Sequence, residues 1–185
     1  HSNWLFFELC ITFSKSALDD NVTLAISSPL EGSSTESSFV EIENLELENF
    51  TVIDQGQIDS LDLVYLLQTK IGQKDAVNAA IGLGGGSWVD YVNDSNDLFM
   101  TVKISGDDVN ELNEIADAFQ NWADFQTRFT KSLSNSSWKG ILYEGDTNFW
   151  IYNDGSYLRL ALSNDIEFML SFLSDCSNEQ CNTSF

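Results

Sequence analysis

Five asparagines in this chain stand two residues ahead of a serine or threonine: Asn21, Asn49, Asn93, Asn135 and Asn182. That triplet is the acceptor for an N-linked glycan, whose transfer needs the carboxamide nitrogen in solvent and an exported chain. About three such triplets arise by chance in an Asn- and Ser-rich chain of this length, so position carries more weight than number. Asn21 follows the Asp19-Asp20 pair, Asn93 opens the run Asn93-Asp94-Ser95-Asn96-Asp97, Asn135 lies in a serine-rich connection and Asn182 in a polar tail. All five are read as glycan acceptors; Asn49 borders a predicted strand, and if only four carry sugar it is the one expected to stay bare.

Other chemistry is weaker. Asp90, Asn93, Asp94, Asn96 and Asp97 concentrate hard oxygen donors in one turn, with Asp107 and Asp108 following, so calcium is the one cofactor with any support. The spacing matches no EF-hand, and tight hairpin turns favour the same residues. Gly82-Leu83-Gly84-Gly85-Gly86 lacks the strand-before, helix-after order of a phosphate loop and reads as a helix cap and turn. The only histidine is His1, which leaves a serine or cysteine nucleophile without its usual base. No His/Cys cluster has zinc-ligand spacing. Two of the 29 carboxylates could meet as a glycosidase pair, but nothing in the sequence selects them. Trp88, Tyr91, Trp122, Trp138, Trp150, Tyr152 and Tyr157 are candidates for stacking on sugars, although several fall in strands where burial explains them as well. No catalytic residue is assigned.

Composition narrows the partners. A formal charge of −21, with eight scattered basic residues, repels phosphate backbones and anionic lipid. Nucleic acid is therefore not expected as a partner, and no apolar run approaches the ~20 residues of a membrane span. The Asn- and Ser-rich acidic composition fits an extracellular or cell-surface protein, and the opening at His1 fits a processed chain. Three cysteines cannot build a disulfide scaffold. Cys176 and Cys181 lie close together in a polar stretch and are expected to pair; Cys10, within an apolar strand, reads as a small buried hydrophobe.

These residues need elements to hold them. Leu5, Phe7, Leu9, Ile11 and Phe13 alternate without interruption and predict a strand with one wholly apolar face. It pairs either with residues 22–26 as a hairpin or with a neighbouring subunit as a donated strand. Residues 39–53 alternate in short pieces. Asp59 or Ser60 caps a predicted helix whose apolar face is Leu63, Leu66, Leu67 and Ile71, and a shorter helix covers 75–81. Hairpins are predicted about the Asn93–Asp97 and Asn153–Ser156 turns, each followed by a helix. The first of those helices carries Val109, Leu112, Ile115, Ala116, Phe119 and Ala123; the second opens at Ser163 or Asn164. Residues 88–125 and 149–173 thus read as a duplicated strand-strand-helix unit.

The expected fold is α+β: an antiparallel sheet with two or three helices packed on one face. A single domain comprises an N-terminal β region (1–53), a helix-hairpin-helix unit (54–126) and a hairpin-helix unit with a polar tail (127–185). The runs Phe50-Thr51-Val52-Ile53, Asp62-Leu63-Val64-Tyr65-Leu66-Leu67, Ala76-Val77-Asn78-Ala79-Ala80 and Gly84-Gly85-Gly86-Ser87-Trp88-Val89-Asp90-Tyr91 resemble segments of uncharacterised exported prokaryotic proteins with a Gly-rich turn, a hairpin and a helix. The resemblance covers about residues 50–125 and implies export and an α+β core, without catalytic residues. The expected function is that of an exported, N-glycosylated structural or interaction protein, a homo-oligomeric subunit of a surface or filamentous assembly. The alternative is an extracellular calcium- or carbohydrate-binding module.

Overall fold

The structure, a computed structural model, describes residues 40–42, 45–126, 130–133 and 138–177, with 131–133 and 177 described by backbone alone. Among these residues the chain runs β1 (Phe50–Ile58), α1 (Ser60–Ile71), α2 (Gln73–Ile81), β2 (Leu83–Asn93), β3 (Leu98–Gly106), α3 (Val109–Asp124), β4 (Thr130–Leu133), β5 (Ile141–Glu144), β6 (Asn148–Asn153), β7 (Leu158–Ser163) and α4 (Ile166–Ser177). The seven strands form one antiparallel sheet in the order β1-β2-β3-β7-β6-β5-β4. Two meanders meet along β3 and β7, where Phe99 faces Ser163 and Ile104 faces Leu158. The α+β class is as expected.

The helices do not all share one face. Trp88, Met100, Val102, Phe149, Leu160 and Leu162 point from the sheet into a core closed by α1, α2 and α3. Val89, Tyr91, Phe99, Leu142, Trp150 and Ala161 point the other way, under Met169, Phe172 and Leu173 of α4 and under Ile42, Leu45 and Leu47. The expectation of one covered face fails because the central strands are apolar on both sides. All six residues of β7, Leu-Arg-Leu-Ala-Leu-Ser, are buried. A sheet with two apolar faces must be covered twice.

That arrangement also rules out a rotational duplication. Both strand-strand-helix units form, β2-β3-α3 and β6-β7-α4. A two-fold axis exchanging the antiparallel neighbours β3 and β7 must run perpendicular to the sheet and would keep α3 and α4 on the same side. They lie on opposite sides. The two units share an order of elements and no symmetry.

The boundaries follow local chemistry. Asp59 caps α1, its carboxylate accepting from Leu61 N at 2.8 Å and Asp62 N at 3.0 Å, while Asp62 reaches back to Asp59 N. Asp108 caps α3 through Asn110 N and Glu111 N. At α4 the cap is Asp165, which accepts from Glu167 N and Phe168 N. Asn164, expected with Ser163 as a possible opening of this helix, is occupied elsewhere: its Oδ1 accepts from Leu98 N at 2.7 Å, tying the start of β3 to the end of β7. The unit boundary expected at 53/54 cuts through β1, which pairs with β2 from Phe50 to Ile58 with a bulge between Val52 and Asp54. Gly84, Gly85 and Gly86 belong to β2 rather than to a turn. A Cβ on Gly84 would stand 2.7 Å from Gly106 O, so a side chain there would force β2 and β3 apart.

Candidate functional site

The two glycan acceptors that lie among the described residues sit in different environments. Asn49 is exposed, in the turn leading into β1, with a left-handed φ of 66°. Asparagine adopts that region at low cost because its short polar side chain bonds locally. Phe50 turns inward against Phe99 and Phe168, leaving Asn49 and Thr51 facing solvent. The border with a strand, which marked Asn49 as the doubtful acceptor, is what holds it outward.

Asn93 is half-buried, and its carboxamide makes three hydrogen bonds. Its Oδ1 accepts from Ser95 N at 2.9 Å and Asp97 N at 2.8 Å, and its Nδ2 donates to Asp97 Oδ2 at 2.9 Å. The backbone closes the same turn, Asn96 N donating to Asn93 O and Asn93 N to Asp97 O. Asn96 takes the left-handed position, at φ 64°. The nitrogen that would carry a glycan is thus the donor that clamps Asp97. By exposure, the order of these two acceptors is the reverse of the one read from the sequence.

The same bonds account for the oxygen-rich turn without an ion. Asp97 accepts from Asn93 Nδ2 on one oxygen and from Asn164 Nδ2, at 3.4 Å, on the other. Asp90 is buried in β2, facing Met100. Asp107 and Asp108 lie at the other end of β3, beside α3, where Asp108 serves as the cap. Among the described residues no group of three or more His, Cys, Asp or Glu side chains could hold a metal.

The aromatic set is divided in a similar way. Trp88, Tyr91, Trp122, Trp138 and Trp150 are buried, so they cannot serve as a stacking platform. Three of them use their polar atoms internally: Trp122 Nε1 donates to Thr69 Oγ1 at 3.1 Å, Trp150 Nε1 to Lys139 O at 2.7 Å, and Tyr91 Oη accepts from Leu45 N at 2.9 Å. Burial raises the Tyr91 phenol above its usual range, against the lowering effect of Leu45 N and the Thr101 hydroxyl. Tyr152 and Tyr157 are partly exposed on the β6–β7 hairpin.

Two of the eight basic residues meet at that hairpin, a constellation the sequence did not reveal. Lys103 of β3 and Arg159 of β7 are direct cross-strand partners. The Lys103 ammonium lies 4.7 Å from the Tyr157 ring centre, and the Arg159 guanidinium 5.7 Å. Arg159 is buried and ion-paired with Asp154. Burial lowers its pKa, while Tyr152 opposes that effect. Asp154 also accepts from Ser156 N and Tyr157 N, both at 2.8 Å, so the hairpin turn is built around the carboxylate that neutralises Arg159. The only signal for this grouping was alternation parity, which required the register to become readable.

Asn21, Asn135, Asn182, Cys10 and Cys181, and the predicted assembly strand with Leu5, Phe7, Leu9, Ile11 and Phe13, lie outside the described residues. Cys176 is half-buried near the end of α4, packed against the second face of the sheet. No helix among the described residues is long and apolar enough to cross a membrane. Comparison with protein-family models, curated proteins and solved structures found no match to this chain.

Proposed function

We propose that this chain is an exported, acidic, N-glycosylated structural or interaction protein, a subunit of an extracellular surface or filamentous assembly. Its role on this reading is non-catalytic. The observation that carries the proposal is the edge of the sheet. β1 is nine residues long, most of its side chains are exposed, and among the described residues no strand adjoins its outer side. An edge of that length offers a row of main-chain donors and acceptors that a strand from another molecule can complete. The apolar alternation of Leu5, Phe7, Leu9, Ile11 and Phe13 supplies a strand of matching character. The exposed Asn49 beside β1 supports glycosylation and would set a glycan at the margin of the same edge.

Sedimentation of the full chain across a hundredfold concentration range, beside a variant lacking residues 1–14, tests the assembly reading. Association by the full chain and its loss in the variant is the expected result. A full chain that stays monomeric at every concentration and salt overturns it. Intact-mass measurement of material from the native source tests the glycoprotein reading separately, and a mass equal to the bare polypeptide overturns that one.

A further inference from the structure

On the outer side of the three-helix layer, α2 and α3 leave an open groove of about 480 Å³, closed at one end by the last turn of α1. Its floor is low because Ala79 of α2 and Ala118 of α3 face each other there, both buried and both lacking a side chain beyond Cβ. Asp75 stands on one rim, and Glu114 and Asp117 on the other. None of these three carboxylates makes an ion pair or side-chain hydrogen bond among the described residues. At the same end as that turn of α1, where Trp122 Nε1 reaches Thr69 Oγ1, Phe125, just past α3, is 62% exposed. A side chain of that size left in water beside an apolar floor differs from Phe119 and Trp122, the aromatic residues of α3, which are both buried.

We infer that this groove is a docking site for a basic amphipathic helix of a partner protein, its apolar stripe on Ala79, Ala118 and Phe125 and its cationic side chains on Asp75, Glu114 and Asp117. Three observations select that occupant. The lining residues of α3, from Glu114 through Asp117, Ala118 and Asn121 to Phe125, follow helical spacing and span ~16 Å, about three turns of a helix laid alongside. The carboxylates outnumber the one lining cation, Lys70, and stand on both rims, so a cationic side chain entering the groove meets opposite charge on either side. The adjoining turn carries further negative charge: the Glu111 carboxyl is raised above its usual range by burial first and then by Glu114, Asp108 and Asp107. A second copy of this chain is a poor source of the occupant, because its eight basic residues are scattered and form no cationic helix face. The inference goes beyond the assembly reading, uses the opposite side of the first core from the sheet, and fails or stands independently of it.

The test uses the full chain and a fluorescein-labelled peptide amide of about 14 residues, with Leu at helical spacing and Lys on both flanks. Anisotropy titrations at low salt should show saturable binding. Phe125→Ala should weaken it at least tenfold, and Asp75→Asn/Glu114→Gln/Asp117→Asn should do the same while flattening the salt dependence. Asp94→Asn/Asp146→Asn/Glu167→Gln, which removes equal charge from exposed positions elsewhere, should leave binding within twofold. Far-UV circular dichroism confirms that each variant is folded. Equal weakening by both triple variants, or indifference to Phe125→Ala, means diffuse attraction to an acidic surface and overturns the inference. No binding of the peptide at low salt overturns it as well. Displacement of the peptide by spermine, with spermine binding lost in the groove triple variant but kept in Phe125→Ala, assigns the groove to a small polyamine instead.

Discussion

Removing the Asn93 carboxamide tests the claim that this residue holds the β2–β3 turn. Asn93→Ala deletes three hydrogen bonds: two into Oδ1, from Ser95 N and Asp97 N, and one from Nδ2 to the Asp97 carboxylate. The Ser95 bond is exposed and recovers most of its energy from water; the two to Asp97 are partly buried, and one is charge-assisted. Taking ~0.5 kcal/mol for the first and ~1 kcal/mol for each of the others gives a loss of about 2.5 kcal/mol. With a urea slope of about 2 kcal/mol/M, the midpoint falls by ~1 M. Asn93→Asp separates the contributions, since it keeps both acceptor bonds but turns the donor into a carboxylate facing Asp97. It should cost roughly 1–2 kcal/mol and recover in part at 1 M NaCl, where screening reaches within ~3 Å. Asn49→Ala is the comparison: it loses only the backbone preference at φ 66°, costs about 1 kcal/mol, and is rescued by Asn49→Gly. A midpoint for Asn93→Ala within ~0.2 M of the parent, or an Asn49→Ala loss as large as that of Asn93→Ala, refutes the reasoning.

Three further outcomes follow from the same bonds. Glycopeptide mapping of native-source material should find Asn49 more fully occupied than Asn93; the reverse order would show that transfer ignores the folded environment. Asp154→Asn keeps the turn acceptor for Ser156 N and Tyr157 N but leaves Arg159 buried without its counter-charge. It should lower stability by about 2 kcal/mol in urea denaturation, at the low end for a buried pair because Asp154 keeps some contact with water. Tyr91 has a folded pKa raised by burial, so its contribution is fully present below the ordinary tyrosine range and is lost as pH climbs through and beyond it, where only the unfolded chain ionises. Tyr91→Phe should cost about 1 kcal/mol at neutral pH from the lost Leu45 bond, yet decline less steeply than the parent above pH ~10. Parallel pH profiles for the two proteins would show that Tyr91 is not held protonated.

Much of this architecture is legible in the residues alone. Helix α3 declares itself through Leu112, Ile115, Ala116, Phe119 and Ala123 with Asp108 in front, and the two hairpin turns through Asn93–Asp97 and Asn153–Ser156. Local signals of this kind depend on a few adjacent residues, so the sequence carries them whole. The glycan triplets, the missing histidine base and the −21 charge are of the same sort. What depends on residues distant in the chain was not legible. Whether α4 lies beside α3 or across the sheet from it is decided by both faces of β7 being apolar, and Leu-Arg-Leu-Ala-Leu reads equally well as a strand with one wet face until the structure buries the arginine against Asp154. Gly84 and Gly86 read as a turn because their need is for closeness to other strands, Gly84 to Gly106 and Gly86 to Ile58 and Ile104. Asn164 read as a helix cap because its partner Leu98 is 66 residues away. Asn49 and Asn93 carry the same acceptor triplet, and only tertiary contacts distinguish them, turning one carboxamide to solvent and committing the other to Asp97. Local preference names the elements; which polar atom remains available for chemistry is set by which distant atom has already claimed it.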